Sequence, residues 1–392
     1  MTTTTLESVL AATTSPKSTP RTHWTAKANE RLEAYIEHTK SRAASAVSKI
    51  MSSAITDRIA PATSLRFVPT ANGVGVELPG KDGETVTDGI HVHALDQLGD
   101  RFGVGQKYAS TLLTRKSEWS NQLLAHSYSE IAAHAEEKQR FLVRSIDGEV
   151  RGVLSDAYRR MDTRPIADAF IGAAQRNGAM ICDGTAADTR ISLKAVLPEI
   201  FTANGDPFVV GVDYSNSDFG DGTLQVRGFV LRLACFNGAV REVAMKKVHI
   251  GARLGQDMSY SQKTYELDTR TLASATEDVL ARMLDATAVK LEVARIEEAA
   301  GRTIDADSEL KKMMRLTPVE RTQAAERFRS ADIELLPAGN SAWRLSNAVS
   351  FLARESEDAR RRLELEVIAG ELLTAGEKRT QKVLVVDQVL AR

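Results

Sequence analysis

The chain has 392 residues, 43% of them hydrophobic, and a formal net charge of −1. That is enough apolar material for two or three domains with real cores, and the near-neutral total gives no global argument for a polyanionic partner. No apolar run approaches the roughly 18 residues of a membrane span, and the N-terminus lacks the basic start and apolar middle of a secretory signal, so a cytoplasmic protein without a membrane partner is expected.

Residues 1–23 begin MTTTTLESVLAATTSPKSTP, rich in Thr, Ser and Pro without periodicity, and predict a disordered tail. Residues 24–139 read as a mostly helical region. Leu32, Tyr35, Ile36, Ala43, Val47 and Ile50 recur at spacings of three and four and predict one helix as far as Pro61. SLRFVP and GVGVELP then flank an Ala-Asn-Gly turn, which predicts a short hairpin. Residues 94–139 read as helical throughout. Within them Leu95–Leu113, LDQLGDRFGVGQKYASTLL, has Leu98, Gly99, Phe102, Gly103, Val104, Ala109 and Leu112 where a helix-turn-helix needs small and apolar residues. Its second helix would expose Gln106, Lys107, Ser110 and Thr111. An ordinary two-helix connection with a Gly cap fits the same residues.

Residues 140–301 read as an α+β core. RFLVRSIDGEVRGVL predicts a hairpin turning at Asp147-Gly148, and between residues 138 and 164 seven bases face four acids, a balance of +3. A helix over 163–176 follows, with Pro165 in its first turn and Asn177-Gly178 at its end. Strands are expected over 179–182, 190–197, 208–214, 224–235 and 240–250, then one long helix over 264–300 stopped by Gly301. Charge is uneven here. Residues 183–222 carry seven acids and two bases, a balance of −5, whereas 223–253 carry six bases and one acid, a balance of +5. Arg227 and Arg232 stand inside the apolar strand Leu224–Cys235. Arg232 is expected to be buried against a carboxylate of the acidic stretch, and Arg227, nearer the polar NSDFGDG loop, to be the better phosphate ligand.

Residues 302–392 read as helical. Thr317-Pro318-Val319-Glu320 is a capping box, and another helix is expected over 342–373 with Trp343 as a core or interface anchor. No GxxxxGK[ST] loop, GxSxG elbow or acid-base pair occurs. His91 and His93 would share a strand face but have no third ligand nearby, and His126 and His134 read as a solvated helical stripe. Cys182 and Cys235, in strand-like settings, predict buried thiols. Catalytic residues, cofactors and metals are therefore not expected.

RFLVRSIDGEVRGVLSDAYRRMDTRPI and NSDFGDGTLQVRGFVLRLACFNGAV, with SAWRLSNAVSFLARE and RRLELEVIAG nearer the C-terminus, resemble a phage- and plasmid-associated family described as a domain of unknown function. The resemblance implies a mobile-element context and no activity. The order of elements from Arg140 to Ala300 is similar to the β-β-α-β-β-β-α core of the ring-forming single-strand annealing proteins. That likeness implies single-stranded DNA binding and strand annealing in recombination or replication, by a homo-oligomer that works with a phage nuclease or single-strand-binding protein. On this reading Arg140, Arg144, Arg151, Tyr158, Arg159, Arg160, Arg227, Lys246 and Lys247 contact DNA. A helix-turn-helix regulator of duplex DNA and a structural assembly protein, with its basic strands paired to the acidic segment, are the alternatives.

Overall fold

A computed structural model describes residues 23–80, 83–234, 236–251, 260–330, 336–337 and 339–376. The expected tail, apart from residue 23, and Cys235 lie outside the described residues. The architecture is mixed α and β with a helical C-terminal region. Among the described residues it is built on two sheets.

The region expected to be mostly helical contributes most of the first sheet. After helix α1 (His23–Ser52) come β1 (Thr56–Pro61), β2 (Arg66–Thr70), β3 (Gly73–Pro79) and β4 (Thr85–Ile90). The helix therefore stops before Pro61, and TDRIAP is a strand. The hairpin of β5 (Arg140–Ile146) and β6 (Glu149–Ser155) turns at Asp147-Gly148 as expected, but it is not confined to a unit starting at residue 140. The strand order is β1-β5-β6-β4-β3-β2, with β1 antiparallel to β5 and β4 parallel to β6. An isolated hairpin leaves both edges unpaired and is marginal in water, so the strands on either side complete it. The residues expected to be one helical stretch over 94–139 form α2 (Val92–Phe102), α3 (Gln106–Thr114) and α4 (Glu118–Ala133), which cover one face of this sheet through Leu95, Leu98, Leu112, Leu124 and Tyr128.

The second sheet follows α5 (Thr163–Arg176). It comprises β7 (Met180–Ala186), β8 (Ile191–Val196), β9 (Phe201–Ala203), β10 (Asp206–Asn216), β11 (Leu224–Arg232) and β12 (Asn237–Lys247). Its order is β12-β11-β10-β8-β7, with β9 added beside β10. One face, including Leu193, Val212, Tyr214, Leu224 and Val226, packs on α5 and on α6 (Gln262–Met283). The other, including Cys182, Val209, Phe229 and Leu231, packs on α1 and on Leu363 of a C-terminal helix. The expected long helix is two, because Asp285 ends α6 and caps α7 (Ala286–Gly301) through Thr287 N. The C-terminal region comprises α8 (Ala306–Lys312), α9 (Pro318–Arg329), α10 (Ala342–Glu355) and α11 (Ala359–Leu372). The Thr317–Glu320 capping box opens α9, and Asp358 caps α11, splitting what the sequence suggests is one helix.

Arg232 is 2% exposed and its Nε donates to both oxygens of Asp206, at 2.9 and 2.7 Å, within the acidic stretch that was expected to supply its partner. Asp206 also accepts from Trp343 Nε1 at 2.8 Å, so one carboxylate ties β11, β10 and α10 together. Removing one partner of a buried ion pair costs about 3–5 kcal/mol, because the other charge is left unpaired in a poor solvent. Arg232→Gln is accordingly expected to lower the urea unfolding midpoint by that equivalent without changing the m-value. A loss below about 1 kcal/mol, the range of an exposed pair, would contradict this assignment.

Candidate nucleic-acid interface

The segment from Leu95 to Leu113 folds as a helix, a tight turn and a second helix. Gly103 caps α2 in the left-handed region at φ 71°, which costs glycine little. Gly99 faces the turn so closely that a Cβ there would lie 2.8 Å from the Val104 carbonyl oxygen. These two glycines let α3 start immediately at Gln106. Ala109 and Leu112 turn inward onto the core of the first sheet, and Gln106, Lys107, Ser110 and Thr111 face solvent.

The exposed surface continues past the residues singled out in the sequence. Tyr108 is 42% exposed, with its hydroxyl 3.2 Å from Ser127 Oγ of α4. Arg115 and Lys116 follow at the C-terminal end of α3, and Trp119, 54% exposed, lies with its ring 5.6 Å from the Arg115 guanidinium carbon. From residue 101 to 126, four bases (Arg101, Lys107, Arg115, Lys116) face one acid, Glu118, a balance of +3. Sequence reading missed Tyr108, Arg115, Lys116 and Trp119. The signal was there, a basic pair three residues before a tryptophan on an otherwise polar helical face.

Most of the residues expected to contact phosphates are engaged inside the protein. Arg144, expected to point from a basic hairpin, is 1% exposed. Its guanidinium donates to Asp57 Oδ1 at 2.8 Å, Asp162 Oδ1 at 2.6 Å and the Asp218 carbonyl oxygen at 2.9 Å. Arg227, expected to be the more solvent-accessible arginine of its strand, is 3% exposed and forks onto Asp213 Oδ2 at 3.0 and 2.5 Å. Asp213 lies directly opposite it on β10, and a buried guanidinium takes the nearest carboxylate to offset its desolvation. Both residues are therefore corrected from DNA ligands to internal ion pairs.

The remaining expected ligands divide unevenly. Arg151 bonds Glu149 at 2.9 Å and the Asp188 carbonyl oxygen at 3.3 Å. Arg159 forks onto Asp268, and Arg160 pairs with Asp57 at 3.3 Å while lying 4.1 Å from the Tyr265 ring centroid. Tyr158 is stacked on His249 with centroids 4.8 Å apart and donates to the Ser217 carbonyl oxygen. Burial pushes its hydroxyl well above the usual phenol range, so it is not an exposed base-stacking ring. Arg140 is half-buried at the start of β5. On β12 Lys246 is exposed and Lys247 half-buried.

His91 and His93 do not share a strand face, because the chain has already entered α2. His91 is its N-cap, and His93 Nε2 is 3.1 Å from the Phe219 carbonyl oxygen. That contact belongs to a polar junction where LSDAYRRMD meets NSDFGDG. Asn216 donates to the Met161 carbonyl oxygen, Ser217 Oγ donates to that of Thr189, Asp218 Oδ1 accepts from Thr163 N, and Gln97 bonds the Phe219 carbonyl oxygen. His249, lowered to about 4 by burial, places Nδ1 3.0 Å from the Arg159 carbonyl oxygen and Nε2 3.2 Å from Asn216 Oδ1. Among the described residues no cluster of His, Cys, Asp and Glu has the geometry of a metal site. No family model, curated protein or solved structure matches the chain.

Asp218 gives the junction a pH signature. Burial raises its carboxyl from 3.8 to about 6, against the pull of Arg144. The folded protein therefore holds this proton more tightly than the unfolded chain does. The stabilisation that the neutral acid confers is complete below about pH 4 and is lost as pH rises through 6, a swing of about 3 kcal/mol at 1.36 kcal/mol per unit. Asp218→Asn keeps an acceptor for Thr163 N and cannot ionise. The stability of this variant relative to the parent should rise by about that amount between pH 4 and 7 in urea titrations. Parallel pH profiles for the two proteins would show that folding does not shift the Asp218 carboxyl, contrary to this assignment.

Proposed function

We propose that the protein binds nucleic acid through the surface of α2 to α4, with duplex DNA as its ligand. The carrying observation is α3 itself. It follows a glycine turn, its apolar side is buried, and its outer side offers Gln106, Lys107, Ser110 and Thr111. These are the side-chain types that hydrogen-bond base edges and phosphates when a second helix lies in the major groove. Arg115, Lys116 and Trp119 extend that surface with charge and an aromatic face, the pairing expected where a protein meets a phosphate backbone.

Single-strand annealing is the second reading. It is supported by the order of elements after Arg140, in which a hairpin, a helix, a run of strands and helices follow one another. That run is six strands long, and the hairpin belongs to the other sheet, so the likeness to the annealing proteins' core lies in order alone. On this reading Lys246, exposed, and Lys247, half-buried, are the expected ligands that would meet a DNA backbone, and the protein acts as a homo-oligomer in a phage recombination or replication setting.

One binding series separates the two. Fluorescence titrations with duplex and single-stranded DNA at two salt concentrations are made with the parent chain, with Lys107→Ala/Arg115→Ala/Lys116→Ala and with Lys246→Ala/Lys247→Ala. The duplex reading expects the triple variant to fold normally, to lose affinity for duplex, and to reduce the slope of log K against log salt by about 2 to 3 units, close to one per lost phosphate contact. Intact single-strand binding in that variant, together with weakened binding in the Lys246/Lys247 variant, would favour annealing instead. Negligible binding of both DNA forms by the parent chain at low salt would reject both readings.

A further inference from the structure

The loop over residues 216–222, between β10 and β11, is held in one shape by Ser217 and Asp221. Ser217 Oγ accepts from Phe219 N at 3.1 Å and from Asp221 N at 2.9 Å, and it donates to the Thr189 carbonyl oxygen at 2.7 Å. Thr189 Oγ1 donates back to Asp221 Oδ2 at 2.7 Å, so the loop is fastened to the residues just before β8. Arg360, at the start of α11, closes the other side by pairing with Asp221 Oδ1 at 3.2 Å.

Beside this loop Arg190 is half-buried and short of a partner. Its buried Nε has no hydrogen-bond acceptor, and among the described residues no carboxylate stands within ion-pair distance of its guanidinium. The two acids that attract it are engaged elsewhere, Asp213 by Arg227 and Asp221 by Arg360 and Thr189. Burial lowers the Arg190 guanidinium below its ordinary range, and the like charge of Arg227 lowers it further. A desolvated guanidinium without an acceptor is costly in a folded chain and calls for one from outside. Gly222 leaves the approach open. It is exposed and holds φ 140°, a conformation that favours glycine, and a side chain there would begin 3.4 Å from Arg190 Cζ and cover the guanidinium.

We propose that Arg190 and Arg360, with the glycine turn over residues 220–222, form a binding site for one phosphate group. Arginine's planar fork matches two phosphate oxygens. The donors come from two sides of the loop, which suits a tetrahedral oxyanion better than a flat carboxylate. Arg360 is 59% exposed, so its pair with Asp221 is weak enough for it to turn toward a third oxygen. The loop is already pinned, so little ordering is needed when the anion arrives. A nucleic-acid backbone and a free phosphate ion or ester present the same chemistry here. The loop rests on α2, where His93 and Gln97 meet the Phe219 carbonyl oxygen, but the site stands whether or not α3 meets duplex DNA.

The test is thermal unfolding of the full chain in inorganic phosphate, dimethyl phosphate and chloride at matched ionic strength, for the parent, Arg190→Met and Arg360→Gln. Phosphate stabilises folded chains generally by exclusion from their surface, so the site is read from the difference between parent and variant. Inorganic phosphate is expected to raise the parent's midpoint saturably. Arg190→Met should weaken that response at least tenfold in apparent Kd, with Arg360→Gln intermediate. In chloride Arg190→Met should be no less stable than the parent, because it removes a charge that has no partner. An Arg190→Met midpoint well below the parent's in chloride would make Arg190 a structural residue and overturn the proposal. So would an equal phosphate response in the parent and in a folded Arg190→Met or Arg360→Gln. Duplex titrations then identify the source. A salt slope lower by about 1 unit in Arg190→Met, with competition by dimethyl phosphate, assigns the site to a backbone phosphate, and an unchanged slope assigns it to a free phosphate ion or ester. The phosphate response involves no DNA, so it tests this site separately from the duplex reading.

Discussion

A row of alternating charge runs across the second sheet, and the packing on that face follows from it. Asp183 on β7 stands opposite Lys194 on β8, Lys194 opposite Asp213 on β10, and Asp213 opposite Arg227 on β11. All four are buried, with Asp213 fully enclosed. Burial alone would lower the Lys194 ammonium, but Glu366, Asp183 and Asp213 together outweigh it and hold its pKa above the ordinary value. Asp183 at one end of the row and Lys194 beside it each take a further partner of opposite charge from outside the sheet. Arg42 of α1 meets the first and Glu366 of α11 the second, so the N-terminal and C-terminal helices dock where charge has to be balanced. Packing of Leu32 and Leu363 against Phe229 and Leu231 supplies hydrophobic area, while the ion pairs fix which helix sits where.

Arg144 does for the two sheets what that row does within one. Its three acceptors come from β1, from the segment before α5 and from the loop after β10. Three separate parts of the chain therefore converge on a single guanidinium that is 1% exposed. Asp57 would keep Arg160, but losing Arg144 would leave Asp162 without its ion pair and break the link between LSDAYRRMD and NSDFGDG. Both segments thereby have an architectural role at this junction.

The legible parts of the fold were those with local causes. The Asp147-Gly148 turn, the helix ended by Asn177-Gly178 and the Thr317–Glu320 capping box each need only a few neighbouring residues, and each stands where it was expected. TDRIAP was read as helix because its partner strand begins at residue 140, and pairing at that separation leaves no local trace. The acid-rich and base-rich stretches were visible as an asymmetry, but its meaning depends on register. β10 and β11 are antiparallel, so the acidic strand zips onto the basic one and the charges cancel in pairs. Arg227 was misplaced for a related reason. Register shifts against β12 on either side of it interrupt the simple alternation, and proximity to a polar loop does not expose a residue whose opposite number is Asp213.

Binding a phosphate through Arg227 would first require breaking a fork to a fully buried carboxylate and leaving that charge without compensation, a loss that a solvent-facing phosphate contact does not recover. Arg115 faces no such barrier. Its guanidinium rests near the exposed Trp119 ring, a contact of the size expected for a surface cation–π pair, and it gives up little when a phosphate arrives. Lys107 and Lys116, both exposed, are in the same position. Counting arginines along a sequence therefore overstates the electrostatic footprint where strands are buried on both faces, and understates it on a short helix whose polar side has no protein partner. On α3 and just beyond it Lys107, Arg115 and Lys116 are exposed, whereas Arg144 and Arg151 of the hairpin are bonded to carboxylates of the protein, which is why this modest cluster outweighs the richer hairpin as a candidate for contact with nucleic acid.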